Sequence, residues 1–142
     1  MNRRNQRRPT ILGCVLLCVL GASVAAVAGP PSPARAQLEG FLTAFNSGDR
    51  ATLIAFGTDH APPDFLRPAI IDQTLEMNRN SGGYELLEVK ESNPLALTSW
   101  VRARATKEVV LLRIEVDAAS PERIIVVSFQ SDEPPERYRS RE

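Results

Sequence analysis

The chain has 142 residues, 43% of them hydrophobic and 24% charged, with 17 basic and 17 acidic side chains and a single histidine. That length holds one domain and not two, and the balanced composition excludes a wholly disordered, collagen-like or repeat-rich chain. Only one apolar run approaches bilayer length, which excludes a polytopic membrane protein.

Residues 1–10 carry Arg3, Arg4, Arg7 and Arg8 with no acid, and an apolar and small-residue run follows from Ile11 to Ala28. A basic segment, an apolar segment and a small-residue end in that order predict a secretory signal peptide over residues 1–28. Ala26-Val27-Ala28 offers the cleavage site, and Ala34-Arg35-Ala36 is the alternative. Cys14 and Cys18 do not make a lipoprotein site, since Cys18 follows Leu16-Leu17 and Cys14 precedes most of the apolar run. Arg7-Arg8 stands too close to Pro9 and Thr10 for a twin-arginine signal, so the ordinary export route is expected. Losing the four arginines leaves 13 basic against 17 acidic residues, a net charge of minus four. That sign argues against a nucleic-acid partner. Both cysteines leave too, so neither a disulfide nor a zinc–thiolate site is expected in the exported domain, and no cofactor or metal is expected.

Residues 29–36 read as a proline-rich leader, because Pro30, Pro31 and Pro33 favour extended backbone. Leu38, Phe41, Leu42 and Phe45 then repeat at helical spacing, predicting a core-facing helix that ends near Asn46-Ser47-Gly48. Asp49 is placed to cap a second short helix containing Leu53, Ile54 and Phe56, with Gly57 as its stop. Residues 58–68 read as a loop punctuated by Pro62, Pro63 and Pro68. Pro68 opens a third helix whose stripe is Ile70, Ile71, Thr74, Leu75 and Asn78, and Gly82-Gly83 ends it.

Beyond the glycines the period changes to two. Four strands are expected, over Tyr84 to Glu91, Ala96 to Arg104, Val109 to Asp117 and Arg123 to Gln130, with short connections that favour an antiparallel meander. On the third, Val110, Leu112, Ile114 and Val116 alternate with polar residues, giving one buried and one wet face. The fourth begins apolar on both faces and is expected to be central or covered. Residues 131–142 are polar and are expected to be a disordered tail. The fold class is therefore α+β, with a domain over residues 37–130 in which N-terminal helices pack on a curved antiparallel sheet of about four strands.

These residues carry a resemblance. The run Leu38-Glu-Gly-Phe-Leu-Thr-Ala-Phe-Asn-Ser-Gly-Asp49 resembles the opening of nuclear transport factor 2-like (SnoaL-like) cone domains. Ser81-Gly-Gly-Tyr-Glu-Leu-Leu-Glu-Val-Lys-Glu-Ser92 and Arg123-Ile-Ile-Val-Val-Ser-Phe129 are similar to a secreted bacterial version, the small domain found ahead of tail-specific peptidase or β-lactamase-like domains. The resemblance covers about residues 36–130 and implies a cone with a pocket or a protein-facing groove, without implying one chemistry. Isomerase members of that superfamily use an aspartate base and an enolate-stabilising tyrosine, and neither matches a motif here.

Two groups of residues are candidates for function. His60 stands in Thr58-Asp59-His60-Ala61-Pro62, with Asp64 four residues on, so Asp59, His60 and Asp64 form a conceivable acid–base set. A lone histidine without a neighbouring nucleophile is more often a solvated surface residue. Trp100, Arg102 and Arg104 share one parity of the second strand, and Arg113 and Glu115 share one of the third. Paired, they would build a cationic and aromatic face for an anionic ligand or a partner protein, or an ordinary wet face with cross-strand ion pairs. The expected function is an exported, non-catalytic binding or accessory module for an extracytoplasmic partner protein or a small apolar ligand. A cone-fold isomerase or lyase using Asp59, His60 or Asp64 is the alternative, and a homodimer through the face bearing Trp100 is a third. No membrane association is expected after the signal is removed.

Overall fold

The computed structural model describes residues 30–139. The segment read as a signal peptide, with Cys14 and Cys18, lies outside the described residues. Three helices, α1 (Pro33–Ser47), α2 (Arg50–His60) and α3 (Pro68–Ser81), precede four strands, β1 (Tyr84–Asn93), β2 (Ala96–Ala103), β3 (Val109–Val116) and β4 (Ile124–Gln130). A 3-10 turn over Pro63–Leu66 joins α2 to α3, and another spans Glu136–Tyr138. The strands form one antiparallel sheet in the order β1-β2-β3-β4. This is the expected α+β layout and meander, because short connections allow only neighbouring strands to pair.

Leu38, Phe41, Leu42 and Phe45 of α1 are buried against Leu97, Val101, Leu112 and Ile114 of the sheet. A smaller cluster of Ala44, Leu53, Ile71 and Leu75 locks the three helices together, and Phe56 and Phe65 pack against both clusters. Gly48 closes α1 in the left-handed conformation at φ 63, where a Cβ would also stand 2.8 Å from Asn78 Oδ1. The Asn46 side chain then bridges to β1, donating to the Tyr84 carbonyl at 2.9 Å and accepting from the Tyr84 N–H at 2.8 Å. The Phe-Asn-Ser-Gly-Asp run therefore turns the chain and fastens helix to sheet. Asp49 caps α2 by accepting from the Thr52 N–H and hydroxyl, both at 2.8 Å, and these bonds hold its carboxyl below the usual value.

Four expectations need correction. First, α1 begins at Pro33, inside the stretch read as leader, because Ser32 caps it by accepting from Arg35 N–H at 3.2 Å and proline tolerates the first helical turn. Second, α2 runs through Gly57 to His60, so Thr58, Asp59 and His60 are helical. Gly57 is buried there to admit Phe65 and Leu66, whose side chains would come within 2.6 and 2.8 Å of a Cβ. Third, β4 is an edge strand, not a central one. Its apolar character on both faces comes from a register shift: Val116 pairs with Ile124 and Glu115 with Val126, leaving Ile125 without a partner. Ile124, Val127 and Phe129 thereby all reach the core, while Ile125 is 54% exposed. Fourth, the segment after β4 is docked in part. The Arg137 guanidinium pairs with the Glu88 carboxylate, and the Tyr138 hydroxyl donates to it at 3.0 Å.

Candidate functional site

The space between α1 and the sheet is filled by aromatic rings. Phe45 stacks on Tyr84 with centroids 5.3 Å apart, Tyr84 stacks on Phe129 at 5.2 Å, and Phe41 lies 6.2 Å from both Phe56 and Phe129. Rings at these separations are in van der Waals contact, so the helix–sheet interior here is packed core and not a ligand chamber.

The candidate acid–base residues do not converge on one cavity. His60 ends α2 with its ring 5.1 Å from Phe56, and its Nδ1 lies 3.1 Å from the Glu122 carbonyl oxygen. A carbonyl only accepts, so that contact requires the proton on Nδ1. The histidine thus ties the end of α2 to the β3–β4 connection. Asp59 is exposed one residue earlier. Asp64, in the 3-10 turn, belongs to the wall of a different feature, an apolar groove.

That groove encloses about 350 Å³ beside the edge strand. Ala61, Pro62 and Phe65 form one wall, Ile70 of α3 the end, and residues 124–127 of β4 the other wall, with Asp64 and Arg67 as its charged members. Three large hydrophobic side chains are exposed among the described residues, and two of them, Ile70 and Ile125, lie here. Helical spacing gave no warning for Ile70, which belongs to the apolar stripe of α3 but falls past its packed side. Parity gave none for Ile125, because the bulge that turns it outward depends on pairing with β3.

A second cavity, about 380 Å³, lies between the C-terminal half of α3 and the β2–β3 turn. Its lining mixes polar residues, Glu76, Asn80, Ser81, Thr106 and Glu108 among them, with Met77, Tyr84 and Ala103. Burial, reinforced by the nearby Glu108 carboxylate, pushes the Tyr84 phenol up. Sequence alone gave no signal for this cavity, since its residues come from three separated segments.

The face of the sheet away from the helices holds the remaining candidates. Leu97, Val101 and Ala103 of β2 are buried on the helix side, so Thr98, Trp100 and Arg102 point the other way. Trp100 is opposite Leu111 on β3 and Glu88 on β1, while Thr98 is opposite Arg113 and Arg102 is opposite Glu85. Arg102 lies 3.9 Å from the Glu85 carboxylate, and Arg113 Nε donates to Glu115 at 2.8 Å. Each arginine therefore has an anionic neighbour, and the face is aromatic and charge-balanced. Arg104 lies one residue past β2, which ends at Ala103, and its N–H donates to the Gly83 carbonyl at 3.0 Å.

Among the described residues, no three His, Cys, Asp or Glu side chains gather as a metal site would need, and no helix is long and apolar enough to cross a membrane. Comparison with protein-family models, curated proteins and solved structures gives no match.

Proposed function

We propose that the chain is an exported, non-catalytic accessory module of the nuclear transport factor 2-like cone type that holds a partner protein by an extended apolar segment in the groove beside β4. The observation that carries this reading is the meeting of Ile70 and Ile125, both exposed, with an unpaired strand edge. An edge strand presents free N–H and C=O groups, and a segment added to it gains main-chain bonds while its alternate side chains enter the groove. The aromatic filling of the interior and the separation of His60 from the groove holding Asp64 weigh against the isomerase or lyase alternative.

Export is part of the same reading, and the start of α1 favours one cleavage site. Ala34 is fully buried, its N–H donates to the Pro94 carbonyl at 3.1 Å, and Ser32 donates to Glu91 at 2.6 Å. Cleavage after Ala36 would remove the cap and these ties, whereas cleavage after Ala28 spares them. N-terminal sequencing of the exported protein should begin at Gly29.

The binding test uses a synthetic strand peptide alternating valine and threonine. It should shift the β4 amide resonances, over residues 124–130, in the wild type and leave Ile125→Asp silent. Absence of shifts at millimolar peptide, or shifts confined to other strands, would overturn the groove assignment. Turnover of a carbonyl compound that is lost in His60→Ala would return the enzyme alternative to first place.

A further inference from the structure

Four residues form one row across the outer face of the sheet. Gln130, the last residue of β4, is opposite Leu111, Leu111 is opposite Trp100, and Trp100 is opposite Glu88. The chain leaves this row at Gln130 and returns to its other end. Arg137 pairs with the Glu88 carboxylate, and the Tyr138 hydroxyl donates to the same oxygen. With strands about 4.8 Å apart, the two ends of the row are separated by roughly 14 Å, well within the reach of the seven residues between Gln130 and Tyr138. The helix side is occupied, so the short path crosses over Leu111 and Trp100.

The crossing segment has a shape of its own. Arg139 donates to the Pro134 carbonyl at 3.0 Å and pairs with Glu133 at 2.8 Å, closing the segment on itself. Pro135 has φ −51 and ψ 147, close to polyproline II backbone, and Pro134, Pro135 and Tyr138 are all half-buried although they belong to no strand. The Arg137 guanidinium lies 4.8 Å over the Tyr138 ring, so the two residues reach Glu88 as one unit.

We infer that the outer face around Trp100 is a docking surface for a proline-containing protein segment that presents an arginine–tyrosine pair to Glu88, and that residues 131–139 occupy it until such a segment displaces them. The chain's own segment displays the chemistry the surface accepts: two half-buried prolines, then a guanidinium and a phenol on one carboxylate. Proline-rich segments dock on aromatic platforms because their backbone is already ordered before binding. The internal occupant is displaceable because its charged contacts are solvent-exposed, and exposed ion pairs hold weakly. This inference is independent of the groove beside β4 and involves none of its residues.

Trp100 is the only tryptophan and reports directly on the surface. The test uses the chain with its C-terminal segment retained and the double substitution Arg137→Glu and Tyr138→Ala, which frees the segment without altering the face. Trp100 emission should move to the red and acrylamide quenching should rise about two-fold as water replaces the segment. Glu88→Lys, which repels Arg137 instead of removing it, should give the same exposure. A synthetic peptide of residues 131–139 should then bind the double variant saturably and reverse the red shift. The wild type should need at least ~10-fold more peptide, because its own segment competes at high effective concentration. The same peptide carrying both substitutions should be inert. Unchanged emission and quenching in both variants would show that the segment does not cover Trp100. Raised quenching without peptide binding at millimolar concentration would show a contact that works only within the chain and overturn the docking surface.

Discussion

Replacing Gly57 by alanine tests the helix packing by sign. Alanine is worth about 1 kcal/mol over glycine inside a helix, so a helical glycine with open space beside it would gain stability by the change. Here the new methyl would stand 2.6 Å from Phe65 Cδ1 and 2.8 Å from Leu66 Cδ2, both shorter than side-chain carbons tolerate. Phe65 packs against both hydrophobic clusters, so it has little room to retreat. Overpacking of this kind costs about 1–3 kcal/mol, and the rigid neighbour places it in the upper half of that range. The net expectation is a loss of about 1–2 kcal/mol, which lowers the melting temperature of a domain this size by roughly 5–10 °C. Urea and thermal unfolding followed by circular dichroism would measure it. Adding Leu66→Ala should recover part of the loss, since one of the two short contacts disappears. A Gly57→Ala protein as stable as the wild type, or more so, would refute the packing argument.

Asn46→Ala leaves both the N–H and the carbonyl of Tyr84 without partners and should cost about 2–4 kcal/mol in urea unfolding. Asn46→Asp keeps the acceptor and should cost less. His60→Ala removes the contact with the Glu122 carbonyl and the ring against Phe56, so it should lower stability by about 1 kcal/mol; a melting temperature that stays unchanged would show that the tether is not formed. Bonds from Arg137 and Tyr138 first, with Lys90 nearby, hold the Glu88 carboxyl below its ordinary value of 4.5. The contact is therefore fully present above that value and is lost as pH falls through the lowered one. Trp100 emission should stay flat from neutral pH down to 4.5 and shift only in stronger acid, and Glu88→Gln should remove that transition.

Elements whose signal is local were legible in the sequence. The 3.6-residue spacing of Leu38, Phe41, Leu42 and Phe45 found the face of α1 that packs on the sheet, and the strict alternation of Val110, Leu112, Ile114 and Val116 found the core face of β3. Asp49 was legible as a cap because its partner lies three residues away. The boundaries that moved were set by distant partners. Gly57 reads as a stop unless Phe65 and Leu66 are known to press on it, and Pro33 reads as leader until Ser32 is seen to cap the helix. β4 reads as central or covered because a bulge at Ile125 brings both parities of its apolar residues to the core, and parity cannot register a slip of one residue.

The same distinction separates the parts of the site. Shared parity grouped Trp100, Arg102 and Arg113 on one face correctly, because β2 and β3 are joined by a short turn that leaves little freedom of register. It also ran on to Arg104, one residue past the end of β2, because parity carries no information about where a strand ends. Sequence proximity grouped Asp59, His60 and Asp64, yet the fold divides them between a helix end, a backbone tether and a groove wall. Acid–base chemistry needs its groups within reach of one reacting atom, so proximity along the chain is weak evidence for it. Binding makes a different demand, for surface that the fold leaves uncovered or covers only loosely. The exposed isoleucines beside β4 and the row through Trp100 meet that demand, and both were set by strand register, which is why neither could be read from spacing alone.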